Sequence, residues 1–153
     1  MSDDIDDVID IAIRSGITKM FLPNINSETT DSMLQLCEKY PENCFSMMGL
    51  HPCDVKKETM EKELLHVEEM LEKEKFIAVG EIGLDLYWDK TTLEIQKMAF
   101  EFQIKLAKKH KLPIVIHVRD SFLEAIEIVE KLNDKNLSGV FHCFTGNVDD
   151  SKR

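Results

Sequence analysis

The sequence predicts an α/β fold with parallel strands, and three observations support this prediction. Helical and strand-like segments alternate regularly along the chain, beginning with a helix and ending after the fifth strand. Such alternation is typical of parallel strands joined by crossover helices. Each strand-like segment is a short apolar run, as expected of a strand that is covered on both faces. The loops are short and no low-complexity linker divides the 153 residues, so a single domain is expected.

Hydrophobic periodicity and helix start and stop signals place the individual elements. The predicted helices span residues 3–15, 28–40, 59–74, 91–110 and 121–132, and the predicted strands span residues 17–22, 44–50, 76–80, 112–116 and 138–141. The motifs Thr91-x-x-Glu94 and Ser121-x-x-Glu124 are typical of capping boxes and are expected to open the last two helices. A closed barrel of eight strand–helix units needs roughly 250 residues. The chain is therefore either a smaller open sheet or part of a larger barrel.

Composition limits the classes of function. The net charge of −10 argues against nonspecific nucleic-acid binding through a broad basic surface, which needs clustered Lys and Arg. It does not exclude a nucleic-acid substrate, because bound metal ions can supply local positive charge. No apolar run approaches the ~20 residues of a transmembrane helix, and the acidic start is unlike a signal peptide. A cytoplasmic protein without membrane contact is expected, with reduced thiols at Cys37, Cys44, Cys53 and Cys143.

Three of the predicted strands are followed directly by a residue type that binds metal ions. Glu81 follows the strand at 76–80 and lies between two glycines, His117 follows the fourth strand, and His142 follows the fifth. The carboxyl ends of parallel strands meet at one rim, where active sites of such folds form. Carboxylate oxygens and neutral imidazoles suit zinc, manganese and similar divalent ions. A lone histidine at a strand end is usually structural, but the three together favour a metal site.

Five further polar residues have competing interpretations. His51, which follows Gly49-Leu50, is interpreted as facing substrate in preference to binding metal. Arg119 is expected either to contact substrate or to form a structural ion pair. Asp85 is expected to orient the Glu81 loop or to contact a group behind the metal. His66 and His110 lie on predicted helices and are expected to be solvated.

Four segments stand out together: Gly-Leu-His-Pro at 49–52, Gly-Glu-Ile-Gly-Leu-Asp at 80–85, Ile-Val-Ile-His-Val-Arg-Asp at 114–120 and Phe-His-Cys-Phe-Thr-Gly at 141–146. In order and spacing they resemble the TatD family of metal-dependent hydrolases, which belongs to the amidohydrolase superfamily and is often described as a family of DNases. The resemblance implies a partial TIM-type (β/α)8 barrel. Residues 1–153 would hold strands two to six of eight, without the first strand and the last two to three units.

The resemblance also implies a site and a reaction. Glu81 resembles the metal-bridging, catalytic glutamate, while His117 and His142 resemble two histidine ligands of a pair of divalent ions (Mg, Mn or Zn). The family's His-x-His pair and its later aspartate have no counterpart in this chain. The implied reaction is exonuclease-like hydrolysis of DNA phosphodiester bonds by metal-activated water. His51, Arg119 and Asp85 would form the substrate-binding set, with the first two contacting phosphate oxygens.

Two alternatives remain open from the residues. The same metals would equally activate water against an amide or ester, as in other members of the superfamily. The chain could also be a non-catalytic fragment that self-associates, since an open five-stranded sheet has two unpaired edges. No obligate protein partner is evident from the sequence.

Overall fold

The computed structural model describes residues 4–152, in which five α-helices alternate with five strands in the predicted order. The helices are α1 (Ile5–Arg14), α2 (Thr30–Lys39), α3 (Met60–Lys73), α4 (Leu93–His110) and α5 (Phe122–Leu132). The strands are β1 (Met20–Pro23), β2 (Cys44–Met47), β3 (Val79–Asp85), β4 (Ile114–Arg119) and β5 (Gly139–Phe141). Short 3₁₀ turns span Pro52–Asp54, Lys90–Thr92 and Asp150–Lys152. Asp3, where the predicted first helix begins, lies outside the described residues.

The strands are parallel and lie side by side in chain order. Strand β1 pairs with β2, and β3 pairs with β4, which in turn pairs with β5. A parallel bridge between Met48 and Val79 joins the two groups, with the Gly80 N–H donating to the Met48 carbonyl at 2.9 Å. Since every strand follows its chain neighbour in the same direction, all five carboxyl ends meet at one rim. The predicted parallel α/β arrangement is confirmed.

The main core lies between the strands and helices α3, α4 and α5. Helix α4 packs on β3, and its Phe100 and Ile104 are fully buried in the same apolar cluster as Ile82 and Leu84. Burying side chains of this size is the largest favourable contribution to folding. The core therefore fixes β3 most firmly of the five strands.

The opposite face of the sheet is open in this chain. A cavity of about 530 Å³ lies there, lined mainly by apolar side chains that include Phe21, Met47 and Val140. Glu81 and His142 also line it. Phe21 and Val140 are 58% and 59% exposed, so the two edge strands bury little of this face.

Several predicted strand boundaries are wrong: β1 begins at Met20 and not at 17, β2 ends at Met47 and not at 50, and β3 begins at Val79 and not at 76. Two further errors, at the ends of β3 and β4, concern the site. Strand β3 does not end before Glu81 but continues to Asp85, and β4 continues through His117 to Arg119. The glycines beside Glu81 indicated a turn from local sequence alone. In the structure, the ladder between β3 and β4 continues across an irregularity between Gly80 and Ile82. Long-range pairing thus overrides the local signal.

The predicted capping boxes are also wrong. Helix α4 begins at Leu93 after a 3₁₀ turn, in which Asp89 accepts hydrogen bonds from the N–H and the hydroxyl of Thr91. Ser121 does precede α5, but its hydroxyl donates to the Leu84 and Arg119 carbonyls. Ser121 therefore ties the helix to the tips of β3 and β4. None of the helices between residues 4 and 152 combines the length and apolar composition needed to cross a bilayer.

Candidate metal centre

Three imidazoles converge on the Glu81 carboxylate at the rim. Oε2 lies 3.8 Å from His117 Nδ1 and 3.8 Å from His51 Nε2, while Oε1 lies 3.5 Å from His142 Nε2. These distances exceed those of ordinary N–H···O hydrogen bonds. Two ligand atoms that share a tetrahedral ion at ~2.1 Å lie about 3.4 Å apart. The spacing and the donor chemistry therefore fit a divalent ion better than a hydrogen-bonded cluster.

The position of Glu81 follows from an irregularity in β3. Gly80 pairs with Val115 and Ile82 pairs with Ile116, so that Glu81 has no partner in the register. A Cβ on Gly80 would lie 2.7 Å from the Val115 Cβ, which shows how closely the two backbones approach. A bulge next to an active site often changes the direction in which a side chain points. The Gly80–Glu81 peptide bond is cis.

His117 is oriented by a buried carboxylate. Its Nε2 lies 2.9 Å from Asp85 Oδ2, and the Asp85 side chain is only 2% exposed. Burial by itself raises the pKa of Asp85, but hydrogen bonds from His117, the Tyr87 N–H and the Cys53 thiol together hold that pKa below its ordinary value. An ionised carboxylate only accepts, so the proton of a neutral imidazole lies on Nε2. The Nδ1 lone pair of His117 then faces Glu81, as a metal ligand requires.

His51 is held differently. Its ring Nδ1 accepts a hydrogen bond from the Cys53 N–H at 3.2 Å, which places the proton of the neutral ring on Nε2. Burial, followed by the neighbouring His117, lowers the pKa of His51, so the ring is neutral near pH 7. Although the ligand atoms of His51, Glu81 and His117 lie within 4.8 Å of one another, this tautomer directs a donor toward Glu81. The structure groups His51 with Glu81 and His117 as possible ligands, so a substrate-facing role for His51 stays a prediction.

The predicted substrate-binding residues Arg119 and Asp85 occupy different surroundings. The Arg119 side chain is exposed and lies over the Tyr87 ring, with Cζ 3.6 Å from the ring centroid. Asp85, in contrast, is buried behind His117. The geometry favours a positioning role for Asp85, which corresponds to the second of its two sequence interpretations.

Sequence reasoning missed two glutamines of α4 that fix the rim. Gln96 accepts from the Asp85 N–H at 2.8 Å and donates to the Asp85 carbonyl at 3.0 Å. Gln103 accepts from the Leu50 N–H at 2.7 Å and donates to the Leu50 carbonyl at 3.2 Å, next to His51. The signal was present, because these two polar residues lie seven positions apart on an otherwise apolar helix face. Buried amides must find such partners.

The prediction that His66 and His110 are solvated is wrong. His66 is partly buried, and its Nε2 lies 2.9 Å from the Thr30 hydroxyl. His110 Nε2 is buried at 3.7 Å from Glu72. Both histidines lie on helices outside the cluster around Glu81, so they take no part in the candidate centre.

Comparisons with known proteins show what this chain resembles. The family model described as TatD related DNase matches residues 1–153. The chain is 34% identical over 146 residues to the "Uncharacterized metal-dependent hydrolase YabD" of Bacillus subtilis, covering 95% of this chain and 56% of that protein. It is 30% identical over 154 residues to the "3'-5' ssDNA/RNA exonuclease TatD" of Dickeya dadantii, covering 98% of this chain and 58% of that protein.

Solved structures show the same relationship. The Escherichia coli K12 TatD homolog YJJV superposes with a TM-score of 0.90 at 30% identity, covering 99% of this chain and 58% of that one. A TatD family hydrolase from Entamoeba histolytica gives a TM-score of 0.81 at 26% identity, covering 99% and 53%. The predicted partial barrel-type fold is confirmed, and the chain spans somewhat more than half the length of these relatives. The chain belongs to the TatD-related DNase family.

Proposed function

We propose that this chain supplies part of the active site of a divalent-metal-dependent hydrolase that cleaves phosphodiester bonds in DNA. The main observation in favour is the approach of two imidazoles to the two oxygens of Glu81, with His117 Nδ1 at 3.8 Å and His142 Nε2 at 3.5 Å. The names of two relatives, a single-stranded DNA/RNA exonuclease and a deoxyribonuclease, support nucleic acid as substrate.

The two carboxylate oxygens of Glu81 have different neighbours, which supports a bridging role. Oε2 lies near His117 Nδ1, and Oε1 lies near His142 Nε2. Each oxygen and its imidazole would hold one of two ions, which is why Glu81 is the proposed bridging and catalytic carboxylate. Imidazole ligands suit manganese and zinc, whereas magnesium prefers oxygen ligands.

When bound, such ions lower the pKa of a coordinated water and neutralise charge on the scissile phosphate. The side chains of this chain would orient the metal ligands and bind the phosphate. Asp85 keeps the His117 imidazole turned toward Glu81, since the two side chains are 2.9 Å apart. The neutral His51 ring would donate from Nε2 to a phosphate oxygen, and Arg119 would contribute a charged donor at the rim.

The proposal is tested with the full-length protein. Nucleotide release from single-stranded DNA is measured with Mg²⁺ or Mn²⁺ for the wild type and for Glu81→Ala. Loss of a bridging ligand should cost more than the ~10–100-fold typical of residues that only support a ligand. Glu61→Ala, at an exposed position of α3, is the matched control and should keep full activity. Undiminished release by Glu81→Ala would contradict the proposal.

Amide or ester hydrolysis is the second candidate. The net charge of −10 favours a substrate that is not a polyanion. A side-by-side screen of phosphodiester and acyl substrates decides between the two, because both reactions would need the same metal ligands. Self-association through the exposed edges of β1 and β5 stays a prediction, which sedimentation of the chain can check.

A further inference from the structure

We propose that Tyr87, Trp88 and Arg119 form a nucleobase-stacking platform beside the metal centre. We call these three residues the aromatic shelf. The shelf would stack an unpaired base next to the scissile phosphate on Trp88, while Arg119 binds a phosphate of the same strand. This inference deepens the proposed function and rests on it, because it assigns the substrate a single-stranded nucleic acid.

The shelf presents open aromatic surface that the described chain does not cover. Trp88 is 74% exposed and Tyr87 is 51% exposed. The two rings meet edge to face, with centroids 4.8 Å apart and planes at 90°. An edge-to-face contact engages at most one face of the Trp88 ring and leaves the other face open. A large exposed aromatic side chain of this kind is typical of binding surfaces.

Arg119 adds a cation to the same surface. Its guanidinium carbon lies 3.6 Å from the Tyr87 centroid and 5.8 Å from the Trp88 centroid. Stacking on Tyr87 uses a face of the planar guanidinium and leaves its N–H edges free to donate. Such edges bind phosphate in a bidentate manner. Although the chain has a net charge of −10, the Arg119 guanidinium supplies a local positive charge that attracts a phosphate.

Short contacts connect the shelf to the candidate metal centre. The Tyr87 N–H donates to Asp85 Oδ1 at 3.0 Å, and the other oxygen of Asp85 lies 2.9 Å from His117 Nε2. The Leu86 N–H donates to the Arg119 carbonyl at 2.9 Å, which joins the ends of β3 and β4. One buried carboxylate thus holds both the proposed ligand His117 and the start of the shelf.

The geometry selects among nucleic acids. In a duplex both faces of each base are already stacked, so only a single strand or a frayed end can offer a base face to Trp88. Base–aromatic stacking of this kind tolerates any sequence, because every base has a π-face. The shelf should therefore recognise strandedness and not sequence.

Trp88 is the single tryptophan of the chain, so its fluorescence reports directly on the shelf. Binding is measured without added metal, which removes hydrolysis from the experiment. A short oligothymidylate should quench the emission, whereas an abasic oligonucleotide of equal length and charge should not. Equal quenching by both, or by neither, would overturn the proposal.

Variants test the same point through the anisotropy of a labelled oligothymidylate. Trp88→Leu should weaken binding by about fivefold or more, since stacking on an aromatic side chain is worth that much per base. Trp88→Phe should restore most of the affinity. Leu65→Ala, at a 55% exposed apolar residue of α3 outside the site, is the control and should bind normally. Unchanged binding by Trp88→Leu would contradict the shelf.

The two proposals fail in different ways. Base-dependent quenching without hydrolysis of any phosphodiester by the full-length protein would support the aromatic shelf and contradict the proposed function. Conversely, hydrolysis could depend on Glu81 while Trp88→Leu leaves the KM for single-stranded DNA unchanged. This result would support the proposed function and contradict the aromatic shelf.

Discussion

Strands β3 and β5 each bring a proposed site residue to the same rim, but from opposite surroundings. Val79 and Ile82 of β3 are fully buried, while Val140 of β5 is 59% exposed. The difference extends to the site, since the Glu81 side chain is 16% exposed and the His142 side chain is 51% exposed. The candidate centre therefore has a rigid side, built on the core, and an open side, built on an edge strand.

The rigid side gains its order from long-range hydrogen bonds. Gln96 and Gln103 of α4 fix the backbone at Asp85 and Leu50, and Asp85 orients His117. On the open side, the His142 N–H donates to the Ile116 carbonyl at 2.8 Å and so extends the short ladder of β5. Precise placement of a metal ligand depends on such supporting contacts. The contrast predicts that similar substitutions on the two sides have unequal effects.

The largest difference is expected from the same substitution in the two strands. Val79→Ala removes two methyl groups from a fully buried position and should lower the free energy of unfolding by about 2 kcal/mol. Val140→Ala, at 59% exposure, should change it by less than about 0.5 kcal/mol. Urea denaturation of the chain measures both values. Equal losses would show that the two strands are equally buried in solution.

An effect of similar size is expected on metal affinity. Asp85→Asn keeps the size of the side chain but removes the charge that holds the His117 imidazole, so affinity for Mn²⁺ or Zn²⁺ should fall by about 10–100-fold. Asp89→Asn is the matched control, because Asp89 follows the end of β3 and its side chain caps only the 3₁₀ turn. Isothermal titration of the chain measures both. If the wild type and Asp85→Asn bind these ions with equal affinity, the positioning role of Asp85 is contradicted.

Local sequence was sufficient for the order of elements and for bringing Glu81, His117 and His142 to one rim. Periodicity is a property of neighbouring residues, and parallel alternation leaves one rim at which all strands end. The ends of β3 and β4 were not predictable in this way, because pairing with β4 extends β3 through a segment that resembles a turn.

The hydrogen-bond partners of the site residues were also not predictable from local sequence. Asp85 is 32 positions from His117, and Gln103 is 53 positions from Leu50, so no local pattern contains these hydrogen bonds. The sequence shows that Tyr87 and Trp88 are adjacent, but only the structure shows that Arg119 lies over their rings. Sequence reasoning thus places the candidate site residues at the rim but does not predict the contacts that support them.

The smallest effect is expected at the other edge of the sheet, where exposed polar contacts hold α1 against the end of α2. The Tyr40 hydroxyl donates to Asp6 at 2.8 Å, and this bond, more than burial, raises the pKa of Tyr40 to about 12. A raised pKa contributes stability that is fully present below the unfolded value of ~10 and is lost as the pH rises through the folded value.

The wild type should therefore lose a small part of its stability between those two pH values, and Asp6→Asn should lose none there. Tyrosinate absorbance in a Tyr87→Phe background, where Tyr40 is the remaining tyrosine, follows the ionisation directly. Titration of Tyr40 at its ordinary pKa in the Asp6-containing protein would mean that this edge contact does not persist in solution. Such a result would widen the contrast between a fixed central strand and loosely held edges.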